Sequence, residues 1–202
     1  MSLRHSLRLA VAVLPVAALL VPATAYAERV VTRDPAGDAL ATSDVEGVEQ
    51  SAAAPDQRVV DIVRTVVDHR PEVVRVRLQF RDLARDPFMF VGTRLKLPQG
   101  RVDVLVELLG GKPIVSGTVT GGRELDCPGL RADVRRTTRS INLVVPTSCL
   151  GDARWVRVGA VAFGADLAQE DAEVVRTYSD DAHRDGTVDV EKPALGPRVR
   201  RG

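Results

Sequence analysis

Apolar and polar residues alternate along much of the chain beyond residue 58. In residues 72–81 every second residue is apolar and the residues between are polar, mostly arginine: Val74, Val76, Leu78 and Phe80 against Arg75, Arg77, Gln79 and Arg81. A period of two is typical of a β-strand with one buried face. Residues 101–109 follow the same pattern. Residues 59–67 are almost continuously branched and apolar, which favours a strand with little solvent exposure.

The remaining pattern adds further short strands separated by turn residues. Together the predicted strands cover residues 29–33, 59–67, 72–81, 89–97, 101–109, 113–120, 130–135, 140–145, 154–163 and 172–178. Gly-Gly pairs at 110–111 and 121–122 mark turns between strands. No long amphipathic helix interrupts the series. We therefore predict an all-β fold, an antiparallel β-sandwich of jelly-roll type with about eight to ten strands.

Composition divides the chain into three parts. Residues 1–27 have a basic start, an apolar run and the small-x-small sequence Ala25-Tyr26-Ala27, which together predict a cleaved signal peptide. The apolar run contains Pro15 and is short for a membrane span, so a retained anchor is the less favoured alternative. Residues 28–190 form the predicted β-sandwich domain, in which 39–57 read as an irregular loop. Residues 191–202 are predicted to be a disordered basic tail.

Charge narrows the range of partners. The whole chain carries 28 basic and 27 acidic residues, and the signal peptide removes Arg4 and Arg8. The mature chain is therefore close to neutral, with no overall attraction to nucleic acid or anionic lipid. We expect a secreted protein of the extracellular space or cell envelope, with no nucleic-acid partner and no membrane insertion after signal cleavage.

The two cysteines, Cys127 and Cys149, predict a disulfide in an exported chain. A hairpin with its turn at 136–139 pairs the apolar residues across two strands: Leu130 with Val145, Ala132 with Leu143 and Val134 with Ile141. Continuing this register places Cys127 within one residue of Cys149. The bond would close the open end of the hairpin and stabilise the fold by about 3 kcal/mol.

Signals for catalysis are missing from the sequence. The mature chain has two histidines, His69 and His183, and neither lies in a metalloprotease pattern. No nucleophile elbow and no phosphate-binding glycine loop occurs. We therefore expect a protein that is not an enzyme.

Two aspartate-rich segments have the character of metal sites. The first holds Asp34, Asp38 and Asp44, with Asp61 at the next strand, and the second holds Asp180, Asp181, Asp185 and Asp189. Calcium takes six to eight hard oxygen ligands, which clustered carboxylates and loop carbonyls supply. The predicted calcium ligands are Asp34, Asp38, Asp61, Asp181 and Asp185. The alternative is that both segments are turns, because Asp, Gly and Pro are ordinary turn residues.

A family resemblance supports the first segment. The sequence Asp34-Pro-x-Gly-Asp38, then Asp61-Ile62 and a strand ending at residues 80–83, resembles the start of DOMON-like sandwiches. These include the family-nine carbohydrate-binding modules and the C-terminal domain of glucodextranase-type enzymes. The resemblance implies a jelly roll whose aspartate loop opens the fold, and calcium bound within it. Residues 145–159 are similar to secreted actinobacterial proteins with no assigned activity.

The chain departs from the sugar-binding relatives in its aromatic content. Carbohydrate modules stack sugars on aromatic rings, but aromatic residues make up only 3% of this chain. The expected function is a secreted binding module, stabilised by calcium, that recognises a glycan or protein partner through loops at one end of the sandwich. The alternative is a structural or interaction protein of the cell envelope without metal. A further open question is whether five outward arginines form a patch for an acidic glycan or a partner, or only a solvated sheet face: Arg75, Arg77, Arg81, Arg131 and Arg135.

Overall fold

The computed structural model describes residues 28–45, 48–83, 88–165 and 176–202, so the predicted signal peptide lies outside the described residues. Thirteen strands occur in these ranges: β1 (Glu28–Arg33), β2 (Leu40–Val45), β3 (Val48–Ala53), β4 (Ile62–His69), β5 (Val73–Phe80), β6 (Phe88–Leu97), β7 (Gly100–Leu109), β8 (Ile114–Val119), β9 (Arg131–Arg135), β10 (Ser140–Pro146), β11 (Trp155–Ala165), β12 (Arg176–Asp181) and β13 (Arg198–Arg200). Two single-turn 3₁₀ helices flank β10, at Arg136–Thr138 and Thr147–Leu150.

The strands form two antiparallel sheets. The five-stranded sheet has the order β1-β4-β5-β10-β9, and the eight-stranded sheet has the order β3-β2-β12-β11-β6-β7-β8, with β13 paired to β11. The alternating apolar residues of both sheets point into one shared core, as Val76 of β5 and Val104 of β7 illustrate. The predicted antiparallel β-sandwich is confirmed, and its alternating sequence pattern is the physical reason for its single buried face per sheet.

The hairpin that carries the disulfide has the predicted register. In β9 and β10, Ala132 pairs with Leu143 and Val134 pairs with Ile141. The Cys127–Cys149 disulfide is present, with a Cα–Cα distance of 5.5 Å. The register was predictable because each apolar residue gains burial only when it faces another apolar residue across the pair.

Residues 39–57 contain more regular structure than their composition indicates. Strands β2 and β3 form an antiparallel hairpin here, and the hydroxyls of Thr42 and Ser51 lie 3.0 Å apart across it. The prediction of an irregular loop is therefore corrected. These strands consist largely of small and polar residues, so backbone pairing holds them without an apolar alternation that sequence analysis would detect.

The C-terminal segment, residues 191–202, is ordered, although its composition predicts disorder. Residues 191–202 cross the outer face of the eight-stranded sheet and end in β13. The guanidinium of Arg157 donates hydrogen bonds of 2.7 and 2.8 Å to two carbonyl groups of this segment. Gly159 permits the close approach, because a Cβ there would lie 2.5 Å from the carbonyl oxygen of Ala194. Tertiary contacts thus order a segment whose local composition has little tendency to fold.

Within the described residues, no helix is long and apolar enough to cross a membrane. The disulfide is consistent with folding in an oxidising compartment.

Candidate metal centre

Two chain crossings between the sheets meet at one end of the sandwich. Residues 34–39 lead from β1 in the five-stranded sheet to β2 in the eight-stranded sheet, and residues 54–61 return from β3 to β4. The backbone N–H of Asp34 donates to the carbonyl of Val63, which ties the first crossing to the start of β4. The end of β12 lies at the same place. Aspartates far apart in sequence therefore converge.

The convergence produces two overlapping groups of carboxylates. Asp34, Asp38 and Asp185 form one group, and Asp38, Asp61 and Asp180 form the other. Within each group, one carboxylate oxygen from each residue lies within 4.8 Å of the others. We call these five residues the acidic cluster. Asp38 belongs to both groups, which makes it the central residue of the cluster.

The side chain of Asp61 has no solvent exposure. Its Oδ2 accepts hydrogen bonds from the backbone N–H of Gly37 at 2.7 Å and from Nη1 of Arg81 at 2.9 Å. Nη1 of Arg81 also donates to the carbonyl of Pro55 at 2.7 Å. The other carboxylate oxygen of Asp61, Oδ1, is buried and has no hydrogen-bond partner. A fully buried carboxylate with one unpartnered oxygen is costly unless a cation completes its coordination.

Three further carboxylate oxygens in the cluster share this condition. Both oxygens of Asp38 and Oδ2 of Asp34 are inaccessible to solvent and lack a hydrogen-bond partner. Asp180 is better satisfied, because its Oδ2 accepts from the backbone N–H of Ile62 at 2.6 Å. The cluster therefore presents several free lone pairs in a small, partly dehydrated volume, which is the electrostatic arrangement of a cation site.

Protonation behaviour follows from the same geometry. Burial, and after it repulsion from Asp180 and Asp38, raises the pKa of Asp34 to about 8. Burial raises the pKa of Asp180 to about 7, although the hydrogen bond from Ile62 opposes the shift. The pKa of Asp38 is also raised, chiefly by burial. Like charges in a low-dielectric site resist ionisation together, and a bound cation removes that resistance.

The donor set restricts the class of metal. Both groups consist of carboxylates, with no histidine or cysteine among them. All-oxygen sites suit hard cations such as Ca²⁺, Mg²⁺ and Mn²⁺, whereas zinc and copper sites use nitrogen and sulfur ligands. Gly37 has φ +88°, a left-handed conformation that turns the chain between Asp34 and Asp38. The acidic cluster can therefore hold a hard divalent cation.

The structure brings together four of the five predicted ligand residues: Asp34, Asp38, Asp61 and Asp185. Asp181 belongs to neither group, although its charge is near enough to contribute to the raised pKa of Asp34. Its Oδ1 accepts from the backbone N–H of His183 at 3.1 Å, and its Oδ2 accepts from the backbone N–H of Ala194 at 2.9 Å. Asp181 therefore anchors the C-terminal segment, and its neighbour Asp180 takes the place in the cluster.

Asp180 was detectable in principle from strand alternation. Adjacent residues of a strand point to opposite faces, so only one of Asp180 and Asp181 can face the interior. Asp189, from the same acidic segment, caps a turn by accepting the backbone N–H groups of Glu191 and Lys192. The side chain of Asp44 lies outside the described residues.

A groove of about 590 Å³ lies beside the acidic cluster, along β2, β3 and β12. Small and polar side chains line it together with the ring of Tyr178: Ala41, Ser43, Gln50, Ala52 and Arg176. Each of the three strands connects directly to a part of the cluster. The crossing at 34–39 enters β2, the crossing at 54–61 leaves β3, and Asp180 lies in β12.

The fold and the cluster define this chain as a disulfide-bonded β-sandwich with a cluster of carboxylates at one end that could hold a metal ion. No protein-family model, curated protein or solved structure matches the chain. The case for its function therefore rests on its own residues, and the DOMON-like resemblance stays a prediction.

Proposed function

We propose that the protein is an exported, non-enzymatic binding module that calcium stabilises at one end of the sandwich. The observation that carries the proposal is the fully buried Asp61 in the acidic cluster, because its Oδ1 has no hydrogen-bond partner. A cation at this position would satisfy the free oxygens of the two crossings at once, and it would lie within reach of Asp180 at the end of β12. It would thereby hold the two crossings and the end of β12 together.

Calcium is the cation that suits the cluster best. The carboxylates come from two crossings and a turn, and such connections adapt to the flexible six- to eight-oxygen coordination of Ca²⁺ more readily than to the strict octahedron of Mg²⁺. Asp185 is exposed, so the site has an edge open to solvent through which an ion can enter. Calcium sites of extracellular modules have dissociation constants of about 10⁻⁴ to 10⁻³ M.

The binding role follows from where the cation would act. The groove beside the cluster is built from strands that the two crossings and Asp180 connect to the cluster, so calcium would order the ligand surface as well as the fold. Tyr178 supplies an aromatic ring and a hydroxyl at this surface, and both are useful for a glycan or a protein partner. The groove is lined mainly by strand residues and only in part by the loop at 54–57, so the proposed binding surface differs from the sandwich-end loops expected from the sequence.

The histidines His69 and His183 lie in structural surroundings. His69 is fully buried, and its Nδ1 lies 3.3 Å from the carbonyl oxygen of Val199 in β13. Burial lowers the pKa of His183. The contacts described for these histidines include no serine, threonine or cysteine side chain that each could activate.

Thermal unfolding in calcium and in a chelator tests the proposal. At a calcium concentration ten times the Kd, binding adds about 1.4 kcal/mol to the free energy of unfolding. For a domain of this size we expect Tm to rise by about 3–6 °C relative to EGTA. Asp38→Asn should remove the rise, whereas the control Asp56→Asn, at an exposed turn residue, should keep it. An unchanged Tm in the unaltered protein would favour the alternative, a metal-free structural or interaction protein of the cell envelope.

A further inference from the structure

A second groove, separate from the acidic cluster, lies on the outer face of the five-stranded sheet. Its volume is about 570 Å³, and six arginines line it: Arg29, Arg70, Arg75, Arg77, Arg131 and Arg135. We call it the arginine groove. Two aspartates, Asp68 and Asp133, also line it.

Strand register explains why these arginines share one face. Arg29 of β1 pairs with Asp68 of β4, and Asp68 pairs in turn with Arg75 of β5. Arg75 pairs with Val144 of β10, which pairs with Arg131 of β9. One row of outward side chains thus crosses all five strands. At a strand spacing of about 4.8 Å, this row is about 19 Å long.

The positive charge of the arginine groove is only partly neutralised. Asp68 forms an ion pair with Arg70 at 2.8 Å, and Asp133 forms one with Arg135 at 2.7 Å. Four arginines remain without a carboxylate partner among the described residues: Arg29, Arg75, Arg77 and Arg131. The groove therefore has a local excess of positive charge on a chain that is nearly neutral overall.

The remaining contacts of these arginines are to neutral groups. Nε of Arg77 donates to Oδ1 of Asn142 at 2.7 Å, which holds its guanidinium against the sheet. Nη1 of Arg131 donates to the carbonyl of Gly129 at 3.1 Å. Both guanidinium groups keep further N–H donors for a ligand, and a guanidinium binds carboxylate or sulfate groups through two parallel hydrogen bonds.

We infer that the arginine groove binds an acidic polysaccharide, a linear glycan that carries repeated carboxylate or sulfate groups. A row of arginines on a rigid sheet complements a polymer with regularly spaced anionic groups, and the groove shape accommodates an extended chain. Phe, Tyr and Trp are absent from the groove lining in the described part of the chain. Single-stranded nucleic acid is bound through stacking of its bases on aromatic rings, which this groove lacks, and neutral sugars are stacked in the same way. An acidic polysaccharide is instead held through its carboxylate or sulfate groups, for which the arginines suffice.

The arginine groove and the acidic cluster lie in different places. Asp61 of the cluster directly precedes β4, and Asp68 of the groove lies near the other end of this strand. Their separation of seven residues corresponds to about 23 Å of extended strand. The groove faces away from the core, whereas Asp61 is buried between the sheets. The inference goes beyond the proposed calcium-stabilised module, and glycan binding measured in EGTA tests it independently of calcium.

Isothermal titration with polygalacturonate, heparin, neutral dextran and single-stranded DNA tests the inference, each at low and at physiological salt. We expect binding of polygalacturonate, heparin or both, no binding of dextran, and weaker binding at higher salt because exposed charges are screened. The two anionic glycans separate carboxylate from sulfate recognition.

Paired variants locate the binding surface. Arg75→Gln with Arg131→Gln should weaken glycan binding at least tenfold. The control pair, Arg123→Gln with Arg154→Gln, removes the same charge at exposed positions away from the groove and should bind as the unaltered protein does. All of these side chains are exposed, so circular dichroism should show the same fold throughout.

Three results would overturn the inference. One is the absence of binding to both anionic glycans at low salt. Another is equal loss of binding in the Arg75/Arg131 pair and in the Arg123/Arg154 pair, which would indicate only general charge attraction. The third is tighter binding of single-stranded DNA than of either glycan, which would assign the groove to nucleic acid.

Discussion

Asp180 and Asp181 are adjacent in β12, and their carboxylates lie on opposite faces of the eight-stranded sheet. Asp180 points between the sheets, where its Oδ2 accepts from the backbone N–H of Ile62. Asp181 points outward, where its Oδ2 accepts from the backbone N–H of Ala194 in the C-terminal segment. One peptide bond therefore separates a residue of the acidic cluster from one that anchors the C-terminal segment.

This relationship predicts opposite effects for two conservative substitutions. Asp180→Asn removes a charge from the acidic cluster and should weaken calcium affinity about tenfold or more. Asp181→Asn should weaken calcium affinity much less, through its longer-range charge alone, but should lower the free energy of unfolding by about 1–3 kcal/mol, because the side-chain amide offers an N–H donor in place of one of the two accepting oxygens. Calorimetric titration with calcium and urea unfolding of both variants measure the two quantities. Equal calcium affinities of the two variants would contradict the assignment of Asp180, rather than Asp181, to the acidic cluster.

Arg81 should matter most when calcium is removed. It is the arginine that pairs with the buried Asp61, so Arg81→Gln leaves that carboxylate without its cationic partner. In EGTA the free energy of unfolding should fall by about 3 kcal/mol, and calcium should restore part of the loss. The control is Arg64→Gln, at an exposed position in β4. A loss of the same size with and without calcium would mean that the cation does not substitute for Arg81.

Gly37 should be required for both backbone conformation and metal binding. Its φ of +88° is strained for any residue with a Cβ, and its N–H donates to Asp61. Gly37→Ala should cost about 1–2 kcal/mol of stability and also weaken calcium affinity. Gly121→Ala is the matched control, since Gly121 has φ +92° in open space on a distant turn. It should show the same strain with unchanged calcium affinity.

The stability of the metal-free protein should fall as pH rises from 6.5 to 8. Burial raises the pKa of Asp34 to about 8 and that of Asp180 to about 7, whereas both groups titrate near 3.8 when unfolded. The folded state therefore binds more protons than the unfolded state in this range, and loses stability as those protons leave.

The two histidines set the lower limit of the pH range in which stability should fall with rising pH. Burial lowers the pKa of His69 and His183 from 6.5, so their contribution has the opposite sign and appears only at lower pH. Calcium binds the ionised carboxylates, so the Tm difference between calcium and EGTA should widen from pH 6.5 to 8. Melting curves at several pH values measure both trends. A Tm in EGTA that rises with pH across this range would contradict the assignment.

Much of the sandwich was predictable because burial of one sheet face requires apolar residues at every second position of a strand. The alternation in β5 and the register of Ala132 against Leu143 both follow from the need to bury apolar side chains on one face. The hairpin β2–β3 was not predictable in this way, because small and polar residues form it. Strand β13 is only three residues long, too short for a periodic pattern, and its pairing with β11 orders it.

The acidic cluster, too, was predictable in part from local sequence and in part only from contacts between distant segments. Periodicity, spacing and composition were enough to predict the all-β class, the disulfide and the aspartate-rich segments. Long-range contacts, in contrast, bring Asp180 rather than Asp181 to Asp38 and Asp61, and turn Arg81 from the outer face of the sheet towards Asp61. The physical reason is that the direction of a side chain at a strand end depends on the crossings between the sheets, and contacts between residues far apart in the chain set those crossings.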